Sequence, residues 1–184
     1  MRFDAIDLIK LCELLETSKT YQCFLGDNLE DGTMDNQQPS ISEFELGWLC
    51  GIIDGEGCIG LWSRGGSRKE EYKPGVRLTN TDENLISTYC QVLDKIGVGY
   101  HITKYEGRNS RCKSYQTVTI EGFKRLVKLL PIIRDKLIAK KPQALLLDEW
   151  VSSRASKWHR SEYSTRELEI PKLIAGYNYR GEQK

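Results

Sequence analysis

The stretch from residue 42 to residue 61, SEFELGWLCGIIDGEGCIGL, constrains the fold more than any other part of the chain. Ser42 and Glu45 have the spacing of a capping box, in which each side chain satisfies a backbone N–H of the first helical turn. Each glycine in a helix interior costs about 1 kcal/mol relative to alanine. The helix nevertheless repeats glycine every four residues, on one face, at Gly47, Gly51 and Gly55.

This glycine face indicates a second helix at close range, because missing side chains let two backbones approach. The apolar run around it is far shorter than the ~20 residues that a bilayer span needs, so the sequence predicts no membrane partner. The residues alone leave open whether the second helix belongs to the same chain or to a copy of it.

The helix ends with the acidic sequence Asp54-Gly55-Glu56-Gly57. Carboxylates at a helix C-terminus face the negative end of the helix dipole, which is unfavourable unless a cation is present. If the helix packs against a copy of itself, two acidic ends meet, and a hard divalent cation relieves their repulsion through oxygen ligands. The sequence therefore predicts a close helix pair with a metal ion at its end.

Residues 49–57, LCGIIDGEG, resemble the nine-residue signature of the LAGLIDADG homing endonucleases. They depart from it at Cys50, at Gly55, and at Glu56, which stands where the family has aspartate. The segments LTNTD at 78–82 and IGVGY at 96–100 are similar to the family's second strand and to the entry of its third. The resemblance covers roughly residues 42–153.

The periodicity of apolar residues predicts the element order α–β–β–α–β–β–α, an α+β fold with a four-stranded antiparallel sheet. Helices cover one face of such a sheet, and the resemblance implies that the other forms a DNA-binding saddle. Helix is expected at 82–96, at 123–130 with a break or a bend at Pro131, and from Pro142. We expect a helical appendage and linker at 1–40, the endonuclease domain at 41–160, and a weakly patterned tail at 161–184.

Only one copy of the motif is present. In the resembled family, single-motif chains act as homodimers, so the resemblance implies a homodimer joined through the motif helices. The alternative is tight packing of the glycine face within one chain. The expected interface residues are Gly47, Cys50, Gly51 and Gly55.

The resemblance also implies site residues. Glu56, with help from the Gly55 carbonyl, would bind Mg²⁺, with Mn²⁺ as a substitute; the alternative is an ordinary exposed glutamate. Lys140 would help to polarise the attacking water or stabilise the developing charge, with Lys136 and Lys141 as competitors for this role; the alternative is a solvated lysine cluster. Asn80 would hold solvent near the metal, or could simply be a turn residue. Asp54 is predicted to be structural, bonding backbone at the helix end.

The charge distribution favours a polyanionic partner for the motif-bearing part. Residues 1–45 carry 3 basic and 10 acidic side chains, net −7, and residues 46–184 carry 24 and 16, net +8. A two-stranded ribbon fits the major groove of double-stranded DNA. The candidate DNA contacts are Trp62, Arg64, Arg68, Lys69, Lys73, Arg77, Thr79, Lys104, Arg108, Arg111, Lys113 and Gln116.

These observations predict a sequence-specific, metal-dependent DNA endonuclease that cuts a long, nearly palindromic site. One alternative keeps the fold without cleavage, as in the family's intron maturases and transcription regulators, and another is an unrelated α/β interaction domain. The six cysteines form no C-x-x-C pair, which indicates a reduced protein in the cytoplasm, or in an organelle if an organellar intron encodes it. No nucleotide-binding fingerprint is present, so no nucleotide cofactor is expected.

Overall fold

The computed structural model describes residues 41–64, 71–107, 112–155, 157 and 161–179, with only the backbone of Arg64. Residues 37–184 group into one compact unit; the other unit, 1–36, lies outside the described residues, as does the helix predicted in the appendage. The elements are α1 (Glu43–Glu56), β1 (Gly57–Arg64), β2 (Glu71–Asn80), α2 (Glu83–Lys95), β3 (His101–Tyr105), β4 (Tyr115–Glu121), α3 (Phe123–Ile133), α4 (Lys141–Ala155) and α5 (Thr165–Asn178).

The strands form the expected antiparallel sheet, in the order β1-β2-β4-β3. Ile59 pairs with Val76, which in turn pairs with Ile120, so these three side chains share one face. All three are fully buried beneath the helices. Residues one step along each strand point to the opposite face, which carries no helix among the described residues. The α+β prediction is therefore confirmed.

The start of α1 matches the predicted capping box. The Ser42 N–H donates to Glu45 Oε2 at 3.0 Å, and the Glu45 N–H donates to Ser42 Oγ at 3.2 Å. The Lys95 ammonium, at the end of α2, also donates to the Glu45 carboxylate. These hydrogen bonds lower the pKa of Glu45 to about 2, and the bond from Lys95 contributes most. The acid is thus held ionised at the positive end of the helix.

Helix α2 begins and ends as its sequence predicts. Asp82 Oδ1 accepts hydrogen bonds from the backbone N–H groups of Asn84 and Leu85, at 2.8 and 3.0 Å. Gly97 follows the helix with a φ of 65°, a left-handed conformation that favours glycine.

Helix α3 continues through Pro131 to Ile133, so of the two predicted alternatives, a break or a bend, the break is wrong. Proline removes one helical hydrogen bond and crowds the preceding turn. Leu129, Leu130 and Ile133 are fully buried on both sides of it. Their packing beneath the sheet outweighs the local cost, because burying a large aliphatic side chain stabilises by about 1.5–3 kcal/mol.

The region after residue 161 is not a weakly patterned tail within the described residues. Thr165–Asn178 forms α5, which packs on α4 and β1. The Asn178 side-chain amide donates to the Ile59 carbonyl at 2.9 Å, tying the helix end to the first strand. The predicted domain boundaries themselves stay predictions.

A buried carboxylate joins α5 to α4. Glu167, 1% exposed, accepts hydrogen bonds from Ser153 Oγ at 2.8 Å, Lys157 Nζ at 2.9 Å and the Ser164 N–H at 2.7 Å. Burial opposes ionisation of Glu167, but these donors outweigh it and lower its pKa to about 2. The Trp150 indole N–H donates to the Glu167 carbonyl at 3.1 Å. The docking of α5 therefore depends on a charged group.

Candidate active site and nucleic-acid interface

The glycine face of α1 is exposed. Gly47, Gly51 and Gly55 are all exposed, and a Cβ built on any of them would meet nothing within 4 Å. Phe44, one turn before Gly47, is 81% exposed. An open face of this kind, with an apolar side chain at one end, is what the dimer prediction requires and what packing within one chain would not give.

Cys50 does not lie on this face, although the sequence groups it with the interface residues. Its side chain is 5% exposed and points with Leu49 and Ile53 into the core of its own chain. Burial raises the pKa of the Cys50 thiol, and the nearby Asp54 carboxylate raises it further. The thiol is a neutral core group, as most buried cysteines are.

Glu56 is the last residue of α1, and its side chain is exposed. It lines a shallow open depression together with the ends of β2 and β4, formed by Thr79, Asn80, Thr81 and Tyr115. Thr79 and Tyr115 belong to the open face of the sheet. The carboxylate therefore lies where the glycine face of α1 meets the open face of the sheet.

Both carboxylate oxygens of Asp54, two residues earlier, accept hydrogen bonds from backbone groups of the same chain. The carboxylate accepts the Ile138 N–H at 2.7 Å and the Lys140 N–H at 2.8 Å, one on each oxygen. It thereby fixes the α3–α4 connection against the end of α1. This is the structural role predicted for it, and it leaves Glu56 as the free acid of the motif.

Lys140 is brought to the same helix end. Its ammonium donates to the Asp54 backbone carbonyl, one of the last carbonyls of α1, which lack intrahelical donors. Lys141 instead donates to the Asp135 carbonyl at 3.3 Å, and Lys136 is exposed. Among the three competing lysines, Lys140 is the one that the described contacts hold at the motif.

Asn80 is a turn residue at the end of β2, and its predicted role in holding solvent near a metal stays a prediction. Its Oδ1 accepts the Asp82 N–H at 2.9 Å, which makes it a turn residue at the strand end. It also lines the depression that contains Glu56. Its carbonyl oxygen is committed to the turn, so its amide would be the group that faces solvent near the carboxylate.

A single chain does not hold a complete metal site within the described residues, where no group of three His, Cys, Asp or Glu side chains is close enough to bind one ion. Glu56 and the Gly55 carbonyl are hard oxygen donors of the kind that Mg²⁺ accepts. These two donors fit a divalent cation as two of its ligands, and they do not complete its coordination by themselves.

Some of the residues predicted to contact DNA lie on the open face of the sheet. Trp62, Lys73, Arg77 and Thr79 point outward on β1 and β2. Lys113 is exposed in the connection before β4. The side chains of five further candidates lie outside the described residues, namely Arg64, Arg68, Lys69, Arg108 and Arg111.

Lys104 and Gln116 lie on the other face. They pair with each other across β3 and β4, in register with the inward-pointing positions. The Gln116 amide donates to Glu83 Oε1 at 3.1 Å, at the start of α2 on the helix side. The register therefore places both side chains on the face opposite Trp62, Arg77 and Thr79, and their role as DNA contacts stays a prediction.

The open face also carries residues that the sequence did not single out. Glu121 ends β4 opposite Gly75 and accepts a hydrogen bond from Arg77 Nη2 at 2.8 Å. Tyr105 and Tyr115 stack at the other end of the sheet, with ring centroids 4.8 Å apart. The alternation in 115–121 places Tyr115 and Glu121 on one face, but only the strand register shows what each side chain contacts.

Glu121 is a charged group between two cations. Partial burial opposes its ionisation, but Arg77 and Lys73 outweigh that effect and lower the pKa of the carboxyl. Lys73 Nζ lies 3.7 Å from Glu121 Oε2. This part of the open face is therefore less positive than its basic residues alone suggest.

Comparison with known proteins decides the family. Residues 43–134, half of the chain, match the family model of the LAGLIDADG-like domain. The chain belongs to the LAGLIDADG family. No curated protein matches this LAGLIDADG chain.

None of the helices in the described residues is long and apolar enough to cross a bilayer.

Solved LAGLIDADG homing endonucleases share the fold. The homing endonuclease I-CvuI, in complex with the I-CreI target and Mg, has a TM-score of 0.57 at 15% identity, over 77% of this chain and 86% of that chain. I-CvuI with its own target and Ca gives 0.59 at 14%, over 77% and 85%. I-GzeII, in complex with its DNA target, gives 0.54 at 15%, over 78% of this chain and 45% of that chain. At these identities the likeness establishes the fold.

Proposed function

We propose that this LAGLIDADG protein is a sequence-specific DNA endonuclease that works as a homodimer and requires a divalent cation, Mg²⁺ or Mn²⁺. The observation that carries the proposal is the position of Glu56. It is an exposed carboxylate without a partner among the described contacts, at the junction of an open glycine face and an open sheet face.

The lengths of the solved relatives support a dimer. The match covers 86% of the I-CvuI chain but only 45% of the I-GzeII chain, so this chain corresponds to one copy of the fold. A single copy offers one saddle and one Glu56. Two copies related by a twofold axis would cover a long site with near-palindromic symmetry, as symmetric DNA-binding dimers do.

The residues of the chain suggest a division of labour. Glu56 of each copy would supply a carboxylate ligand, and a bound divalent cation would activate water and neutralise charge on the scissile phosphate. Asp54 holds the connection that carries Lys140, whose ammonium can stabilise negative charge that develops near the helix ends. The outward side chains of β1, β2 and β4 would hold the duplex above them.

The test begins with a randomised duplex library, from which the wild-type protein selects bound sequences without added divalent cation. The selected duplex is then incubated with the protein and Mg²⁺. The proposal expects cleavage of both strands by the wild type, and retained binding without cleavage by Glu56→Gln. Cleavage by Glu56→Gln would refute the metal assignment.

Selective binding by the wild type without nicking, in Mg²⁺ and in Mn²⁺, would favour an intron maturase or a transcription regulator. A monomer without salt-dependent DNA affinity would favour the unrelated interaction domain, because phosphate contacts make binding fall steeply with salt. Location in the cytoplasm or in an organelle, which the cysteine pattern predicts, stays a prediction.

A further inference from the structure

We infer that Trp62, Arg77 and Glu121 form a preassembled reading unit for one G·C base pair in the major groove. This inference rests on the proposed function and adds which part of the sheet recognises sequence, and which base pair it prefers. It places Glu121, an acidic residue, among the residues that determine specificity.

The base of the unit is the Trp62 ring, which lies close against two glycines of the sheet. Gly60 and Gly75 pair across β1 and β2, and both are buried beneath the Trp62 ring. A Cβ on Gly60 would lie 3.0 Å from Trp62 Cε2 and Cζ2, and one on Gly75 would lie 2.9 Å from Trp62 Cζ3. Glycine weakens a strand interior, so two paired glycines indicate that the indole must lie close to the sheet.

Arg77 is held against the Trp62 ring. Its guanidinium carbon lies 3.7 Å from the Trp62 ring centroid, which is a cation–π stack. Its Nη2 donates to Glu121 Oε1 at 2.8 Å, and its side chain is 36% exposed. A guanidinium has five N–H donors in a rigid fork, and the described contacts of Arg77 use only the Nη2 end. The remaining donors are held in place and open to a ligand.

The position of Glu121 argues against a simple phosphate clamp. A phosphate at this point would meet an ionised carboxylate, and two cations, Arg77 and Lys73, share that one anion. Arg77 and Glu121 lie on β2 and β4, the two central strands of the sheet, and the Trp62 ring reaches Gly75 of β2 from the edge strand β1. Groups there would face the groove floor when the edge strands face the DNA backbone, and phosphate contacts are the task of residues nearer the rim.

The chemistry of the pair matches one base pair. In the major groove guanine presents two acceptors, N7 and O6, and cytosine presents the N4 amino donor beside them. Arginine is the usual bidentate partner of guanine, and glutamate can accept from cytosine N4. Arg77 and Glu121 hold a donor fork and an acceptor side by side, the complement of a G·C edge. In a homodimer the unit would act twice, at symmetric positions of the site.

The experiment measures binding to a selected site in which every base pair is replaced in turn by the other three. Four proteins are compared with the wild type. Arg77→Lys keeps the charge but loses the fork and the planar stack. Glu121→Gln removes the anionic acceptor, and Gly60→Ala displaces the Trp62 ring without touching Arg77. Lys128→Gln on α3, whose ammonium donates to the Gly97 carbonyl at 3.4 Å, is the control for a one-unit change in net charge away from the open face.

The inference expects the wild type to prefer G·C at one symmetric pair of positions by about 10- to 100-fold, the range of a good bidentate contact. Arg77→Lys should remove most of this preference and leave the other positions unchanged. Glu121→Gln and Gly60→Ala should each weaken it at the same positions, and Lys128→Gln should not.

Two results would overturn it. If Arg77→Lys leaves every preference intact, or weakens all sequences equally, the fork does not read a base. If Glu121→Gln tightens binding to all sequences and steepens the salt dependence, Glu121 only offsets charge near phosphate. A wild type that selects a site but fails these tests keeps the proposed function, whereas a wild type that binds no duplex overturns both.

Discussion

The two acidic residues of the LAGLIDADG motif have separate tasks in this chain. Asp54 binds backbone N–H groups of the α3–α4 connection, and Glu56 remains exposed at the sheet edge. They differ by two positions, which on a helix is about 200° of rotation. One carboxylate is therefore turned into its own chain and the other away from it, and neither can take over the role of the other.

Asp54→Asn should therefore destabilise the fold by about 1–3 kcal/mol, because one of two N–H groups would face an amide N–H₂ instead of an acceptor. Urea unfolding measures the loss. Glu56→Gln is the matched control, since it changes an exposed side chain two residues away and should stay within about 0.5 kcal/mol of the wild type. Equal midpoints for Asp54→Asn and the wild type would contradict the structural role.

Lys140→Met should lower the cleavage rate about 10²- to 10³-fold, the usual cost of removing one preorganised donor of charge stabilisation. Binding to the selected duplex should change little, since one phosphate contact at most is lost. Lys141→Met provides the comparison, because that ammonium contacts the Asp135 carbonyl away from α1. The same rate for both variants would remove Lys140 from the site.

Among the elements, α5 is held on α4 by a buried charged group, Glu167. The periodicity of apolar residues did not predict this helix. Glu167 serves both as the capping-box partner of Ser164 and as the acceptor for Ser153 and Lys157. The cap is visible in the sequence, but the donors from α4 and from the segment after it are not. Their contribution depends on ionisation of the carboxyl.

This dependence gives a pH prediction. The pKa of Glu167 falls from an ordinary 4.5 to about 2 in the folded chain, so its ionised form stabilises the fold. The contribution is complete above about pH 4.5 and is lost as the pH falls towards 2. Glu167→Gln should lower stability near neutral pH by about 2 kcal/mol and flatten the decrease in stability across this window.

Unfolding midpoints measured from pH 7 to pH 2 test this expectation. Glu169→Gln, on the exposed side of the same helix, is the control and should follow the wild-type curve. If Glu167→Gln also follows the wild-type curve, the buried carboxylate does not contribute through its charge.

For the molecule as a whole, the open glycine face of α1 is the surface through which we propose that two copies associate. We expect Gly51→Leu to disrupt self-association, because a leucine side chain would separate two helices that meet there. Glycine is a poor helix former, so the variant monomer should be no less stable than the wild-type monomer. Sedimentation or size-exclusion with light scattering measures the assembly.

Gly176→Leu is the matched control. Gly176 is also an exposed helical glycine with nothing within 4 Å of an added Cβ, but it lies on α5. It should leave the dimer intact. A Gly51→Leu protein that remains dimeric would place the interface elsewhere. It would also contradict the proposal that two copies of Glu56 share a metal site.

Much of the fold could be predicted from the sequence, because the evidence for it lies in residues close together along the chain. The capping box of α1, the glycine period and the alternation along the strands depend on residues within a few positions of each other, and so does the family motif. Ser42 and Glu45 therefore form the predicted box, and α2 forms within one residue of its predicted bounds at each end.

Which side chains act together follows from contacts between elements and not from the sequence pattern. The tertiary structure turned Lys104 and Gln116 to the helix side, buried Cys50, carried α3 through Pro131, and set Glu121 beside Arg77. Each outcome depends on strand register or on contacts between elements distant in sequence. A shift of one residue in register would reverse every face of a strand, and no local pattern contains that information.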